Sequence, residues 1–318
     1  MRAWRCRGAD SQPQLEHLDA DRPGPGEMLV EVRACGLNFA DLLMIRGQYQ
    51  ETPTHPFTLG MEISGLVHAV GDGVEVATGT RVAAFPGQGG LADYAIVSAD
   101  RAVTLPEGMG YDSAAALQIA YGTSHLALDH RARLRPGETL LVLGATGGVG
   151  LTAVELGKLM GARVIAVARG AEKEDIARNA GADIYLDSET ADLRAEVKAL
   201  GGADVVYDPV GGALGEAAFR ACNPEARYLL IGFASGSTPA IKPNHMLVKN
   251  IDLIGFYWGA YFKFRPEVLT RSLATLLDWH AQGRIHPHIS HRLPLEQAME
   301  GLYLLRDRAA SGKVIIQP

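Results

Sequence analysis

Seven residues, Gly144-Ala145-Thr146-Gly147-Gly148-Val149-Gly150, carry the strongest chemical signal in this chain. A glycine-rich turn lets backbone N–H groups come close to a phosphate, because no Cβ stands in the way. The apolar run before it, Thr139 to Leu143, has strand length. The helix-period segment that follows would aim its N-terminus and its positive dipole end at the same anion. The spacing departs from the plain G-x-G-x-x-G fingerprint, so the turn alone is a weak sign. Its context is stronger: Ala162 to Ala168 supplies a second strand after a helix of proper length, which completes a βαβ unit. Gly144, Thr146, Gly147, Gly148 and Val149 are therefore expected at a dinucleotide pyrophosphate. The competing reading is a glycine-rich turn in an α/β fold that binds no nucleotide.

The end of that second strand bears on which dinucleotide. An NAD site usually places Asp or Glu there for the ribose 2′-hydroxyl. This chain has Arg169, followed by Gly170-Ala171-Glu172-Lys173. A carboxylate would repel a 2′-phosphate, whereas a guanidinium and an ammonium grip one with charge-assisted hydrogen bonds. Arg169 and Lys173 thus point to NADPH. The alternative is a pair of solvated charges, with Lys173 neutralised locally by Glu172, Glu174 and Asp175.

The elements that must hold these residues divide the chain. Its 318 residues are enough for two domains with proper cores. Residues 1 to about 110 look β-rich, with short alternating segments such as Met28 to Ala34 and Ile63 to Val70 between Pro-Gly and Gly-rich turns. That spacing suggests a small, partly closed β-barrel. From about 112 a helix runs to Asp129, with an interruption expected near Tyr121-Gly122. Strands and helices then alternate to Phe256, the pattern of a parallel sheet covered on both faces. A long helix from Pro266 to Gln282 and a closing strand at 312–316 follow. The expected fold is α/β: a Rossmann doubly wound parallel sheet over 126–258, with a barrel domain formed by 1–125 and 259–318.

A net charge of −6, with no basic run, argues against nucleic acid as a partner. No apolar run has membrane-spanning length. Three scattered cysteines without a C-x-x-C suit a reducing compartment, and the first residues lack the apolar core of a secretory signal. The expectation is a cytoplasmic protein with a small-molecule substrate.

Several segments together resemble the zinc-independent quinone oxidoreductases, zeta-crystallin-like members of the medium-chain dehydrogenase/reductase superfamily. Asn38, Asp41, Gly47 and Tyr49 are similar in type and spacing to their N-x-x-D-x-x-x-R-x-G-x-Y stretch, with Arg46 one place beyond its arginine. Gly60-Met61-Glu62, the turn at 144–150, Tyr207-Asp208-Pro209-Val210-Gly211-Gly212 and the ending Ser311-Gly312-Lys313-Val314 also fit, in order along the whole chain. Leu59 stands where the family has proline. Ser188 lies about where some members carry a tyrosine near the cofactor's phosphate end. The resemblance implies a GroES-like catalytic domain, NADPH, a homodimer joined at a sheet edge near 255–262, and cofactor contacts from Ser188, Gly232, Phe233, Phe256 and Lys313.

It also bears on metal. Zinc alcohol dehydrogenases of the superfamily place Cys at the position of Asn38 and His at that of Met61, before the retained Glu62. Asn and Met are poor zinc ligands, and three dispersed cysteines cannot build a structural zinc lobe. The clustered His280, His286, His288 and His291 have no sulfur or acidic neighbour in sequence, so no metal is expected there either.

Without a Lewis acid, a conjugated acceptor is easier to reduce than an isolated ketone, because its oxygen takes the charge as an enolate or hydroquinone anion. Asn38 offers amide donors for that oxygen, and Tyr49 a phenol that donates a hydrogen bond or a proton. Asp41 and Arg46 read as supports of the loop. The aromatic run Phe256-Tyr257-Trp258 and Tyr261-Phe262 suits a planar acceptor or a subunit interface. Lys242, Asn244 and Lys249 are further candidates for phosphate oxygens. The function expected is an NADPH-dependent quinone or enone reductase. Alternatives are an enoyl-CoA or acryloyl-CoA reductase, a cofactor-binding crystallin-like or RNA-binding relative, and a zinc alcohol dehydrogenase.

Overall fold

Short strands, bent by glycines at close backbone approaches, build the first part of the chain. The computed structural model describes residues Met1–Pro318. Strands β1 (Arg2–Cys6), β2 (Gln14–His17), β3 (Glu27–Gly36), β4 (Phe57–Thr58), β5 (Glu62–Val70), β6 (Arg81–Ala84), β7 (Tyr94–Ser98) and β8 (Ala102–Thr104) come first. Then follow β9 (Thr139–Leu143), β10 (Arg163–Ala168), β11 (Ile184–Asp187), β12 (Ala203–Asp208), β13 (Cys222–Leu230) and β14 (Asp252–Gly255). β15 (Ile289–Pro294) and β16 (Lys313–Gln317) close the chain.

Two compact units result: Met1–Gln118 with His286–Pro318, and Ile119–Ile285. In the first, seven strands form one sheet in the order β15-β16-β3-β5-β6-β8, with β7 also on β3. Its ends β15 and β8 do not pair, so the barrel is only partly closed. β3 is antiparallel to both β5 and β7, and register shifts bend it against β5. At Gly65 a side chain is excluded, since a Cβ there would lie 2.0 Å from the Glu31 carbonyl oxygen.

The second unit is a six-stranded sheet, β11-β10-β9-β12-β13-β14, in which every pairing is parallel. Counted from β9 this is the order 3-2-1-4-5-6 of a doubly wound dinucleotide fold. Leu140 to Leu143 and Val164 to Val167 are fully buried, as strands covered on both faces must be.

Three sequence expectations shift. The crossing into the second unit falls at 118/119, not 125/126, and the return at 285/286, not 258/259. The helix Pro266–Ala281 belongs to the second unit, because Ser272 bonds His125 Nδ1 at 2.8 Å and Trp279 packs edge-on against the same ring. No break occurs at Tyr121-Gly122. The helix Tyr111–His125 runs through and continues as a π turn, Leu126–Arg131. Gly122 serves packing instead: a Cβ there would stand 2.7 Å from the indole nitrogen of Trp258.

Candidate functional site

The glycine turn leaves β9 at Gly144, whose φ of 58° is left-handed and favours glycine. Ala145 N–H donates to Val167 O (2.9 Å), tying the turn to β10, and Gly147 N–H donates to Gly144 O (2.9 Å). A Cβ on Gly150 would stand 2.0 Å from Gly144 O, so the helix Gly148–Leu159 begins almost against the end of the strand. Its N-cap is Gly147, and no side chain caps its first N–H groups. Gly147 is exposed, and Gly148 and Val149 are half-buried, whereas Thr146 is buried. An uncapped helix start at the point where the strand order reverses is suited to a pyrophosphate.

Two buried polar groups fix this crevice, and sequence reading gave neither a role. Ser124 Oγ bonds Val149 O (2.9 Å), Thr152 Oγ1 (2.8 Å) and Tyr207 OH (2.9 Å), locking the helix start to β12. Burial pushes the Tyr207 phenol well above its ordinary value. Asp208, fully buried at the end of β12, accepts from Val210 N–H and Gly211 N–H (both 2.8 Å) and from Tyr228 OH (2.7 Å). Burial raises its pKa, and those donors oppose the rise. The next turn is laced to it: Gly232 N–H donates to Asp208 O (3.3 Å) and Ala234 N–H to Pro209 O (3.0 Å). Phe233 on that turn is exposed, while Phe256 is buried, with Tyr261 5.7 Å away between ring centres.

Beyond the ends of β10 and β11, Ser188 N–H donates to Ala168 O (2.8 Å). Lys173 closes the 3₁₀ turn Ala171–Lys173. Arg169 Nε lies 3.4 Å from Glu189 Oε1, with both side chains more than half exposed. Lys249 does not reach outward for phosphate; its ammonium donates to Cys222 O (2.7 Å). Lys242 and Asn244 are exposed.

In the first unit a different cluster forms. Lys313 and Glu62 are buried, and the ammonium donates to Glu62 Oε1 (2.5 Å), Leu37 O (2.8 Å) and Asn38 Oδ1 (3.0 Å). Asn38 Nδ2 donates to Glu62 Oε1 (2.9 Å) and Gly36 O (3.1 Å). The three Lys313 hydrogens and both Asn38 amide hydrogens are engaged within this cluster, so the expected cofactor contact of Lys313 and substrate contact of Asn38 would each require a partner to be exchanged. Asp41 is fully buried and accepts from Asn38 N–H (2.9 Å) and Gly60 N–H (3.2 Å). Burial pushes its pKa up to about 6, against the pull of those donors and of Lys313. Tyr49 is half-buried beyond the helix Phe39–Ile45, and its carbonyl accepts from Thr52 Oγ1 (2.7 Å). No three His, Cys, Asp or Glu side chains stand close enough to hold a metal ion, the histidines of 280–291 included.

A doubly wound sheet with a glycine turn at its switch point, together with a partly closed barrel unit, defines the two-domain dehydrogenase/reductase class. Residues 24–107 match the alcohol dehydrogenase GroES-like domain family and residues 148–276 the zinc-binding dehydrogenase family. The chain is 39% identical to the quinone oxidoreductase-like protein 2 of Bos taurus, over 99% of this chain and 96% of that one. Among solved structures, the quinone oxidoreductase of Thermus thermophilus, also solved with NADPH, superposes at a TM-score of 0.89 with 31% identity over the whole of both chains. The Escherichia coli quinone oxidoreductase complexed with NADPH gives 0.91 with 27% identity, covering 100% of this chain and 99% of that one. The chain belongs to the quinone oxidoreductase family of the medium-chain dehydrogenase/reductases.

Proposed function

We propose that this chain reduces a quinone or other conjugated acceptor with NADPH, without zinc, as a cytoplasmic homodimer. The observation that carries the reading is the buried ammonium of Lys313 on Glu62 and Asn38. A zinc ion does not fit these residues: the Glu62 oxygen is already bonded to a cation and an amide, Met61 and Asn38 are poor donors, and the Cys35 thiol is held protonated by burial. NADPH does fit the second unit. The Gly150–Gly144 approach and the uncapped helix start suit its pyrophosphate, and two family structures are complexes with it.

Bound NADPH supplies the hydride. The chain's own part is to orient and to supply hydrogen bonds. With the Asn38 hydrogens taken, the Tyr49 phenol is the group of its loop assigned to the acceptor's oxygen, as donor and proton source. Lys313 and Asp41 hold the backbone of 36–41 and 60–62 in place. A homodimer is supported by the unpaired edge of β14, where Leu253 is exposed, and by exposed Leu247 and Val248 on the helix Pro243–Lys249. Three buried, unpaired cysteines suit a reducing compartment.

The test is cofactor consumption, NADPH beside NADH, on 1,4-naphthoquinone, a simple enone and acryloyl-CoA, with alcohol oxidation by NADP run in reverse. Each is measured with and without a chelator. Turnover on quinone or enone that ignores the chelator supports the reading. Faster turnover on the thioester keeps the hydride step and changes the substrate class. Chelator-sensitive alcohol oxidation overturns it.

A further inference from the structure

The turns after β10 and β11 carry an acidic residue that the reading above leaves without a task. Glu189 Oε1 sits 3.4 Å from Arg169 Nε, and Arg169 directly follows the last residue of β10, where sheets of this order meet the cofactor's ribose. Backbone contacts hold the two turns together. Asp187 Oδ1 accepts from both Gly170 N–H and Glu189 N–H at 3.0 Å, Ser188 N–H donates to Ala168 O, and Tyr185 OH donates to Gly170 O at 2.6 Å. Glu189 therefore reaches Arg169 from a backbone already pinned beside it. The Glu172 carboxylate lies against Gly170, the residue after Arg169, and Glu189 is the ion-pair partner of Arg169.

We propose that Glu189 sets the coenzyme preference by occupying the Arg169 guanidinium that a ribose 2′-phosphate would otherwise take. The proposal rests on the NADPH reading. A 2′-phosphate must displace Glu189 before Arg169 grips it, and it also meets the repulsion of that carboxylate. A ribose 2′-hydroxyl meets neither obstacle. Glu189 thus weakens NADPH selectively and narrows its advantage over NADH.

The experiment is titration of the whole protein with NADPH, NADH and 2′,5′-ADP, followed by fluorescence or calorimetry, for the wild type and for Glu189→Gln, Glu189→Ala and Arg169→Ala. Both positions are surface sites, and unchanged melting curves verify folding. Glu189→Gln should tighten NADPH and 2′,5′-ADP about fivefold, the upper end for an exposed ion pair, and move NADH less than twofold. Glu189→Ala should do the same, and Arg169→Ala should weaken only the two phosphorylated ligands. If NADPH and NADH shift together, or neither shifts, while Arg169→Ala still weakens NADPH, Glu189 has no such role. If Arg169→Ala leaves NADPH unchanged and the wild type prefers NADH, the NADPH reading itself falls.

Discussion

Replacing Lys313 with Met tests the cluster at the centre of the first unit. Methionine fills much the same volume, so the loss is of charge and hydrogen bonds rather than packing. Glu62 is fully buried and Lys313 is 3% exposed, so no solvent screens the pair. Removing one partner of a buried ion pair costs about 3–5 kcal/mol, because the other charge stays behind uncompensated. Leu37 O and Asn38 Oδ1 lose their donor as well, so the upper half of that range, about 4–5 kcal/mol, is expected. The assay is urea unfolding followed by circular dichroism at pH 7. The double variant with Glu62→Gln should recover most of the loss, because no uncompensated carboxylate is then left buried. A loss under about 1 kcal/mol, the range of an exposed pair, would refute the reasoning. So would an equal loss in the Glu62→Gln background.

Gly150→Ala places a Cβ 2.0 Å from a backbone oxygen that cannot move independently; it should cost about 3 kcal/mol or more and abolish NADPH binding in an equilibrium titration, and an alanine variant that binds normally would contradict the close approach. Asp208→Ala leaves two backbone N–H groups without their acceptor, while the Tyr228 hydroxyl keeps Gly215 O; a loss of about 2–4 kcal/mol in unfolding free energy is expected, and one below about 1 kcal/mol would mean that water replaces it. For Asp41, burial raises the folded pKa from 3.8 to about 6. The folded state then holds a proton the unfolded chain has lost, so this group makes stability fall as pH rises between those values, by about 3 kcal/mol in all. Asp41→Asn should remove that slope, and a difference between variant and wild type that stays flat from pH 4 to 7 would sink the assignment.

What could be read from the residues was what lies close in sequence. The glycine turn, its strand and its helix sit within 139–159, so spacing alone described them. The cluster that decides the chemistry of the first unit is the opposite case. Asn38 and Lys313 meet across 275 positions, and no pattern near either says that an ammonium will consume the amide's environment. Asn38 as a donor to substrate and Lys313 as a cofactor contact were both legible as single residues; that the two side chains engage each other and Glu62 was not. Gly122 failed for a related reason. A glycine in a helical stretch reads as a break, yet this one is small because Trp258 packs on it. The unit boundaries were misplaced because strand and helix periods do not reveal which unit a long helix packs against.

The interrupted layout of the first unit sets an order of assembly during synthesis. Residues 119–285 are one unbroken segment and have all their partners once the ribosome has passed them. The first unit must wait, since β16 lies between β3 and β15 and carries the ammonium for Glu62. Until that strand emerges, Glu62 has no counter-ion and β3 lacks its β16 neighbour. Of the two units, the one that starts earlier in the chain is thus finished later, and chaperone contact during translation should fall mainly on residues 1–118.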